Sequence, residues 1–228
     1  MKSYDTKYME LNALLAIRAV FPEYAEGMEK GERPDWQSAS AGRGLEVVQA
    51  INMHMGYSNA VFNNYLGKDR SEIPAKTIDS FKGEMFFEND RLFAGSDSKG
   101  LVSGTRHIQL ALDEIEKKHE KLNSPGYSIF RENELFIFLA FSTNKQDIEL
   151  FLSEYDAIAE KYENTFSRIF LFDSASLFFI IPCDAIFGEY DFQDIELRDL
   201  KELTGKLRKA SEWNQGTKFD LVFNTISD

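Results

Sequence analysis

The chain has 228 residues, 43% of them hydrophobic, which is enough apolar material for one sizeable core. Its 26 Lys and Arg stand against 38 Asp and Glu, a formal charge of -12, which counts against a general nucleic-acid coat protein and means that any polyanion has to be met by a local basic patch. The single cysteine, Cys183, excludes an intramolecular disulfide framework and a cysteine-built zinc site.

The opening MKSYDTKYMELNALLAIRAV interrupts its apolar residues with Glu10, Asn12 and Arg18, so a signal core is not expected. The longest apolar runs, such as Leu177 to Cys183, are far too short to cross a bilayer. The expectation is a soluble, cytoplasmic protein with no membrane partner.

From Tyr4 to about Val20, Tyr8, Leu11, Leu15 and Ala19 recur at helical spacing, widened by Leu14 and Ile17, and predict an amphipathic helix that ends before Phe21-Pro22. A polar stretch leads into Pro34-Asp35-Trp36, and the short run Leu45-Glu46-Val47-Val48 behind Gly44 predicts the second strand of a hairpin opened near residue 34. Residues 52 to 104 scatter Asn, Gly, Asp and Ser among aromatics, with a loop signal at GSDSKG, 95 to 100; short helices and a mobile loop are expected there. Ile108, Ala111, Ile115 and Leu122 give a helix from Gly104 to Leu122, stopped by Asn123-Ser-Pro-Gly126.

Glu134 to Ala140 is a continuous apolar run, the pattern of a strand buried on both faces. A helix over 146 to 163 follows, then a strand pair, Arg168 to Phe172 and Leu177 to Ile181, around Asp173-Ser174-Ala175. A charged helix from about Leu197 to Ser211 and a short closing segment, Phe219 to Phe223, end the chain. This order predicts one α/β domain over 1–228, a central mixed sheet flanked by helices on both faces. It carries an irregular insertion at about 52–103 and a C-terminal helical extension at about 184–228.

Asp35 at the start of one strand and Glu46 on the next, at hairpin separation, can converge on one divalent cation, which prefers hard oxygen ligands. Taken alone, Asp35 after a proline is a turn or N-cap residue and Glu46 a solvated edge-strand residue; together, at this spacing behind a helix, they read as a shared site. A metal-assisted phosphodiesterase also needs a group that aligns the attacking water.

The helix with Glu10, Pro34-Asp35, Gly44-Leu-Glu46-Val-Val, the helix ending IEKKHEKLN and the strand ELFIFLA resemble, in that order, the PD-(D/E)XK nuclease superfamily. The resemblance is closest to its bacterial restriction-endonuclease-like subgroup and covers roughly residues 4 to 181. It implies a restriction-endonuclease-like fold, Asp35 and Glu46 as metal ligands with Glu10 completing the shell, and Mg2+ (or Mn2+) as cofactor. The implied activity is hydrolysis of DNA phosphodiester bonds, in defence or DNA processing.

The departure is Val48, where the superfamily places its motif lysine; valine neither orients water nor stabilises charge. Gln49 projects to the opposite face of a regular strand unless a bulge re-aims it. Lys118 and Lys121 on the following helix are the substitutes, against a reading as i, i+4 surface pairs with Glu114, Glu116 and Glu120. The alternative is a catalytically inactive nuclease-fold binding or scaffold protein, with a protein partner suited to the acidic charge; a second copy of the chain is the other candidate partner.

DNA contact would need a local patch, either Arg198, Lys201, Lys206, Arg208 and Lys209 or the lysines near residue 118. His54, His107 and His119 have no partners at metal-ligand spacing and are expected as satisfied histidines. Cys183 is expected as a buried small hydrophobe. Gly42-Arg43-Gly44 precedes a strand, so neither a P-loop nor a dinucleotide fingerprint is present. Phe86, Phe87 and Phe93 are core residues or stacking surfaces.

Overall fold

The computed structural model describes residues 6–51, 61, 64–81, 84–96, 106–139, 142–173 and 175–227. The chain divides into two compact units, Met1–Tyr4 with Ile51–Leu110, and Asp5–Ala50 with Ala111–Asp228. Among the described residues no helix is long and apolar enough to cross a membrane.

The larger unit opens with α1, Thr6–Val20, followed by three strands, β1 (Glu29–Lys30), β2 (Trp36–Ser38) and β3 (Arg43–Ala50). After the smaller unit the chain returns through α3, Arg106–Leu122, to β6, Glu132–Leu139. Helix α4, Lys145–Ala159, leads to β7 (Arg168–Phe172), β8 (Ser176–Ile181) and β9 (Ile186–Asp191). Two helices close the chain, α5 (Asp194–Ala210) and α6 (Phe219–Ser227).

The strands form one seven-stranded sheet in the order β1-β2-β3-β6-β7-β8-β9. β3, β6 and β7 run parallel and all other neighbours antiparallel, so the sheet is mixed and mostly antiparallel. Parallel neighbours require a crossover, and here the chain between β6 and β7 contains α4.

Strand alternation explains the burial. Leu45, Phe136, Phe170, Phe172 and Leu177 join a core with Leu11 to Ile17 of α1, Leu200 and Leu207 of α5, and Phe219 of α6. Leu135, Ile137, Ile169, Leu171, Phe178 and Ile180 point to the other face and are equally buried, so the central strands are covered on both sides. Val47 is only half-buried. Within α1 the buried Asn12 donates from Nδ2 to Thr204 Oγ1 of α5 at 3.1 Å, satisfying a polar group that would otherwise destabilise the core.

Two segments differ from the sequence reading. Where short helices and a mobile loop were expected, the described residues of the smaller unit include short helical segments, among them a single turn at Arg70–Glu72 and α2 (Ala75–Ser80), and also a hairpin of β4 (Glu84–Glu88) and β5 (Arg91–Ser96) that the sequence does not announce. Its two-residue turn, Asn89-Asp90, has φ of 48° and 66°; such turns match the twist of paired strands, and Asn and Asp tolerate this conformation. Residues 97–100 of the GSDSKG signal lie outside the described residues.

The region expected as a helical extension from about 184 opens instead with β9, an edge strand without the dense apolar run of its neighbours. Its Gly188 lies under Phe179, where an added Cβ would stand 2.1 Å from the ring. The closing segment expected over Phe219 to Phe223 lies within α6.

Gly44 fixes the geometry of the β2–β3 corner. A Cβ there would stand 2.6 Å from Pro34 Cγ and 2.7 Å from Phe130 Cδ2. Gly44→Ala is therefore expected to lower unfolding free energy by about 1–3 kcal/mol, the usual cost of overpacking, measurable by urea denaturation. A neutral substitution would show that Pro34 does not pack as described.

Candidate functional site

Asp35 lies where β2 begins, with Trp36 paired to Leu45 of β3. Both of those residues are buried in the core, so alternation places Asp35 and Glu46 on the other face. β2 does not extend back past Pro34, and the Val47 N–H that a longer strand would use donates to Asp35 Oδ2 at 2.8 Å. Gly31 N donates to Asp35 O at 2.8 Å, closing the turn. A polar cavity of about 430 Å3 opens beside Asp35.

Glu46 is 1% exposed and fully partnered. Lys118 and Lys121, three apart on α3 and so on one face, donate to Glu46 Oε1 at 2.8 and 2.5 Å. Tyr127 Oη donates to Glu46 Oε2 at 3.0 Å. Val48 shares the face of Glu46, opposite Ile137 on β6. Pairing of β3 with β6 is regular from Arg43 to Ala50, so no bulge re-aims Gln49, which stands on the opposite face.

Glu10 reaches the cluster from α1. Its Oε2 pairs with Lys30 Nζ at 3.2 Å, and Lys30 also donates to the carbonyls of Gly31 at 2.8 Å and Asp35 at 3.0 Å. Its Nζ lies 4.0 Å from Asp35 Oδ1. The structure thus gathers Glu10, Asp35, Glu46, Lys118 and Lys121, adds Lys30 and Tyr127, and leaves Gln49 aside.

The carboxylates differ in proton affinity. Burial pushes Asp35 up to about 7, helped by the charges of Glu46 and Glu10 and opposed by the Val47 N–H and Lys30. Burial also raises Glu46, but ion pairing with Lys118 and hydrogen bonds from both lysines outweigh it, so its net shift is downward. Glu10 is raised, because burial exceeds the effect of Lys30. Burial, followed by the nearby Glu46 charge, raises the Tyr127 phenol. Neighbouring acids held in opposite protonation preference are common at functional sites.

Among the described residues no three His, Cys, Asp or Glu side chains form a ready metal-binding group. The donor chemistry nevertheless suits Mg2+ or Mn2+, since Mg2+ commonly takes one or two carboxylates and fills its remaining positions with water or phosphate.

Lys30 and Tyr127 escaped the sequence reading. Lys30 sits in a charged, aperiodic stretch, and Tyr127 follows the Asn-Ser-Pro-Gly stop, where nothing marks a side chain that turns back to a strand. A second buried carboxylate, Glu134, was also not singled out. It takes a hydrogen bond from Tyr24 and lies 3.5 Å from Arg43 Nε and 3.1 Å from Arg168 Nη1. Burial pushes it up to about 7 against these partners. Leu45, Glu134 and Arg168 are register partners on β3, β6 and β7, so the cluster ties three strands together.

His119 is fully buried, stacked on Tyr162 with ring centroids 5.2 Å apart, its Nδ1 3.0 Å from Ile115 O. His54 lies outside the described residues, as does the side chain of His107. Cys183 is exposed rather than buried: Pro182 ends β8 and starts a single helical turn that carries the cysteine off the sheet. Phe86 and Phe93 are 41% and 55% exposed, while Phe87 lies under Arg70 at 4.7 Å. On α5, Arg198 is 3.8 Å from Asp199 and Lys206 2.8 Å from Glu202, which partly neutralises that basic surface.

Comparison of the chain with protein-family models, with curated proteins and with solved structures found no match.

Proposed function

We propose that the protein is a divalent-metal-dependent deoxyribonuclease of restriction-endonuclease-like architecture. The observation that carries this reading is the meeting of Asp35 and Glu46 from one hairpin with two lysines from α3. In this reading Lys118 and Lys121 replace the motif lysine that Val48 lacks.

Asp35 and Glu46, with Glu10 beside them, would hold Mg2+ or Mn2+, which when bound polarises a phosphoryl oxygen and favours ionisation of water. Hydrolysis forms a P–O bond from water, breaks the bond to a bridging oxygen and ends with a proton on the departing oxygen. Lys118 is the group that orients the attacking water and offsets negative charge developing on phosphate, a preorganised electrostatic role. Lys121 shares that charge and Tyr127 holds the Glu46 carboxylate in one orientation. Lys30 keeps Glu10 and the Asp35 turn together.

The second reading, a nuclease-fold scaffold without activity, is favoured by the complete occupancy of Glu46 by protein donors. Thermal melting with Mg2+ or Mn2+ separates the two. Metal at about a hundredfold above its Kd stabilises a binding protein by about 2.7 kcal/mol. The native protein is expected to gain stability with metal and to cut a mixed DNA substrate, with Asp35→Ala losing both. Neither gain nor cleavage in the native protein would leave the scaffold.

A further inference from the structure

We propose that the turn following α5 is the substrate-positioning wall of the Asp35 site, with Arg33 gripping a DNA phosphate and the side-chain amides of Asn214 and Gln215 contacting base edges. This deepens the nuclease reading and rests on it. The cavity beside Asp35 is lined on one side by Lys30, Gly31, Glu32, Arg33 and Asp35 and on the other by Trp213, Asn214 and Gln215, residues about 180 positions away in sequence; the exposed Glu32 carboxylate keeps a bound phosphate on the Arg33 side.

That far wall is held firmly. Gly216 N donates to Lys30 O at 2.7 Å, Lys30 N to Thr217 O at 2.8 Å, and Phe219 N to Met28 O at 2.8 Å. This short antiparallel ladder along β1 fixes the turn against the strand that carries Lys30. Trp213 is the anchor: 3% exposed, it donates from Nε1 to Leu207 O at 2.8 Å and meets Trp36 edge-on at 5.6 Å. Its φ of 50° is an uncommon conformation for a bulky residue, and such strain persists only where the surroundings over-determine it. The consequence is that the next two side chains are exposed at the cavity.

The free groups are the ones a DNA strand requires. Arg33 is exposed and, among the described residues, enters no ion pair, although its carbonyl is fixed by Ser128 N at 3.3 Å. Lys30, Lys118 and Lys121 are all engaged by carboxylates, which leaves Arg33 as the cation at this cavity available to phosphate. A guanidinium suits phosphate by its fork of donors. Gln215 makes no side-chain hydrogen bond among the described residues, and Asn214 has only a 3.3 Å contact to Glu212 Oε2. Amides of this type pair with base edges.

The test is fluorescence-anisotropy binding of a labelled duplex and a labelled single strand, with Ca2+ added in place of Mg2+, alongside cleavage in Mn2+. Arg33→Ala is expected to weaken binding about tenfold and to reduce the slope of log K against log salt by about 1, with Arg33→Lys restoring the slope. Asn214→Ala/Gln215→Ala is expected to weaken binding about fivefold with the slope unchanged, since amides displace no counterions. Lys145→Ala, at an exposed position on α4, is the control, and unchanged melting temperatures exclude misfolding. Native affinity and slope in both site variants, with Asp35→Ala inactive, would overturn this wall and leave the nuclease reading standing. No DNA binding by the native protein would overturn both.

Discussion

Asp35→Asn is expected to abolish DNA cleavage and, in metal-free buffer above neutral pH, to make the protein more stable. The loss follows from removing one of two carboxylates that would hold the metal. A bound ion supplies several kcal/mol to a phosphoryl transition state, so turnover should fall about a thousandfold or more. The gain follows from burial beside Glu46 and Glu10, which raises Asp35 to about 7 from its ordinary 3.8.

A raised acid binds its proton more tightly in the folded state. Its stabilising contribution is complete below the unfolded value near 3.8 and disappears as pH rises through about 7. Asparagine carries no charge, so the native protein alone bears the cost of the buried anion at about pH 8, on the order of 4 kcal/mol. Denaturation in EDTA at about pH 4 and pH 8 measures it. Added Mg2+ should then stabilise the native protein and leave the variant unchanged. A variant less stable than the native protein at the higher pH would mean that Asp35 is a structural hydrogen-bond acceptor for Val47 and little else.

The hairpin was legible because its signals are local: a proline-aspartate corner, a glycine close behind it and an alternating run containing Glu46. The apolar runs that became β6, β7 and β8 carry their own periodicity, and the strand pair around Asp173 follows from it. The lysines were legible only as candidates. Lys118 lies 72 residues from Glu46, and its reach depends on how the crossover between β3 and β6 returns α3 to the sheet. Lys30 and Tyr127 had no such signal, since a charged turn and a residue behind a helix stop acquire partners only through tertiary packing. Cys183 misled for a related reason. Its apolar strand ends two residues before it, at Ile181, and composition does not show where the chain leaves the sheet.

Removing both lysines, Lys118→Met with Lys121→Met, should cost about 3–5 kcal/mol, because it leaves a buried carboxylate without compensating charge. In the native protein Glu46 is depressed by these partners despite burial, so its contribution is present above the unfolded value near 4.5 and is lost as pH falls through the lower folded value. In the double variant burial alone remains, the shift reverses sign, and stability should instead decline as pH rises. Tyr127 still donates one hydrogen bond, which moderates the loss without replacing the charge. Adding Glu46→Leu to the double variant should recover most of the lost stability, since apolar groups of similar volume commonly replace a buried ionic cluster at little cost. Urea denaturation of the native, double and triple proteins at about pH 7 reads all of this. A triple variant as unstable as the double would mean that the cluster is required by the fold itself. Recovered stability without cleavage would place the value of these charges in chemistry on a bound anion, because the sheet could then be built without them.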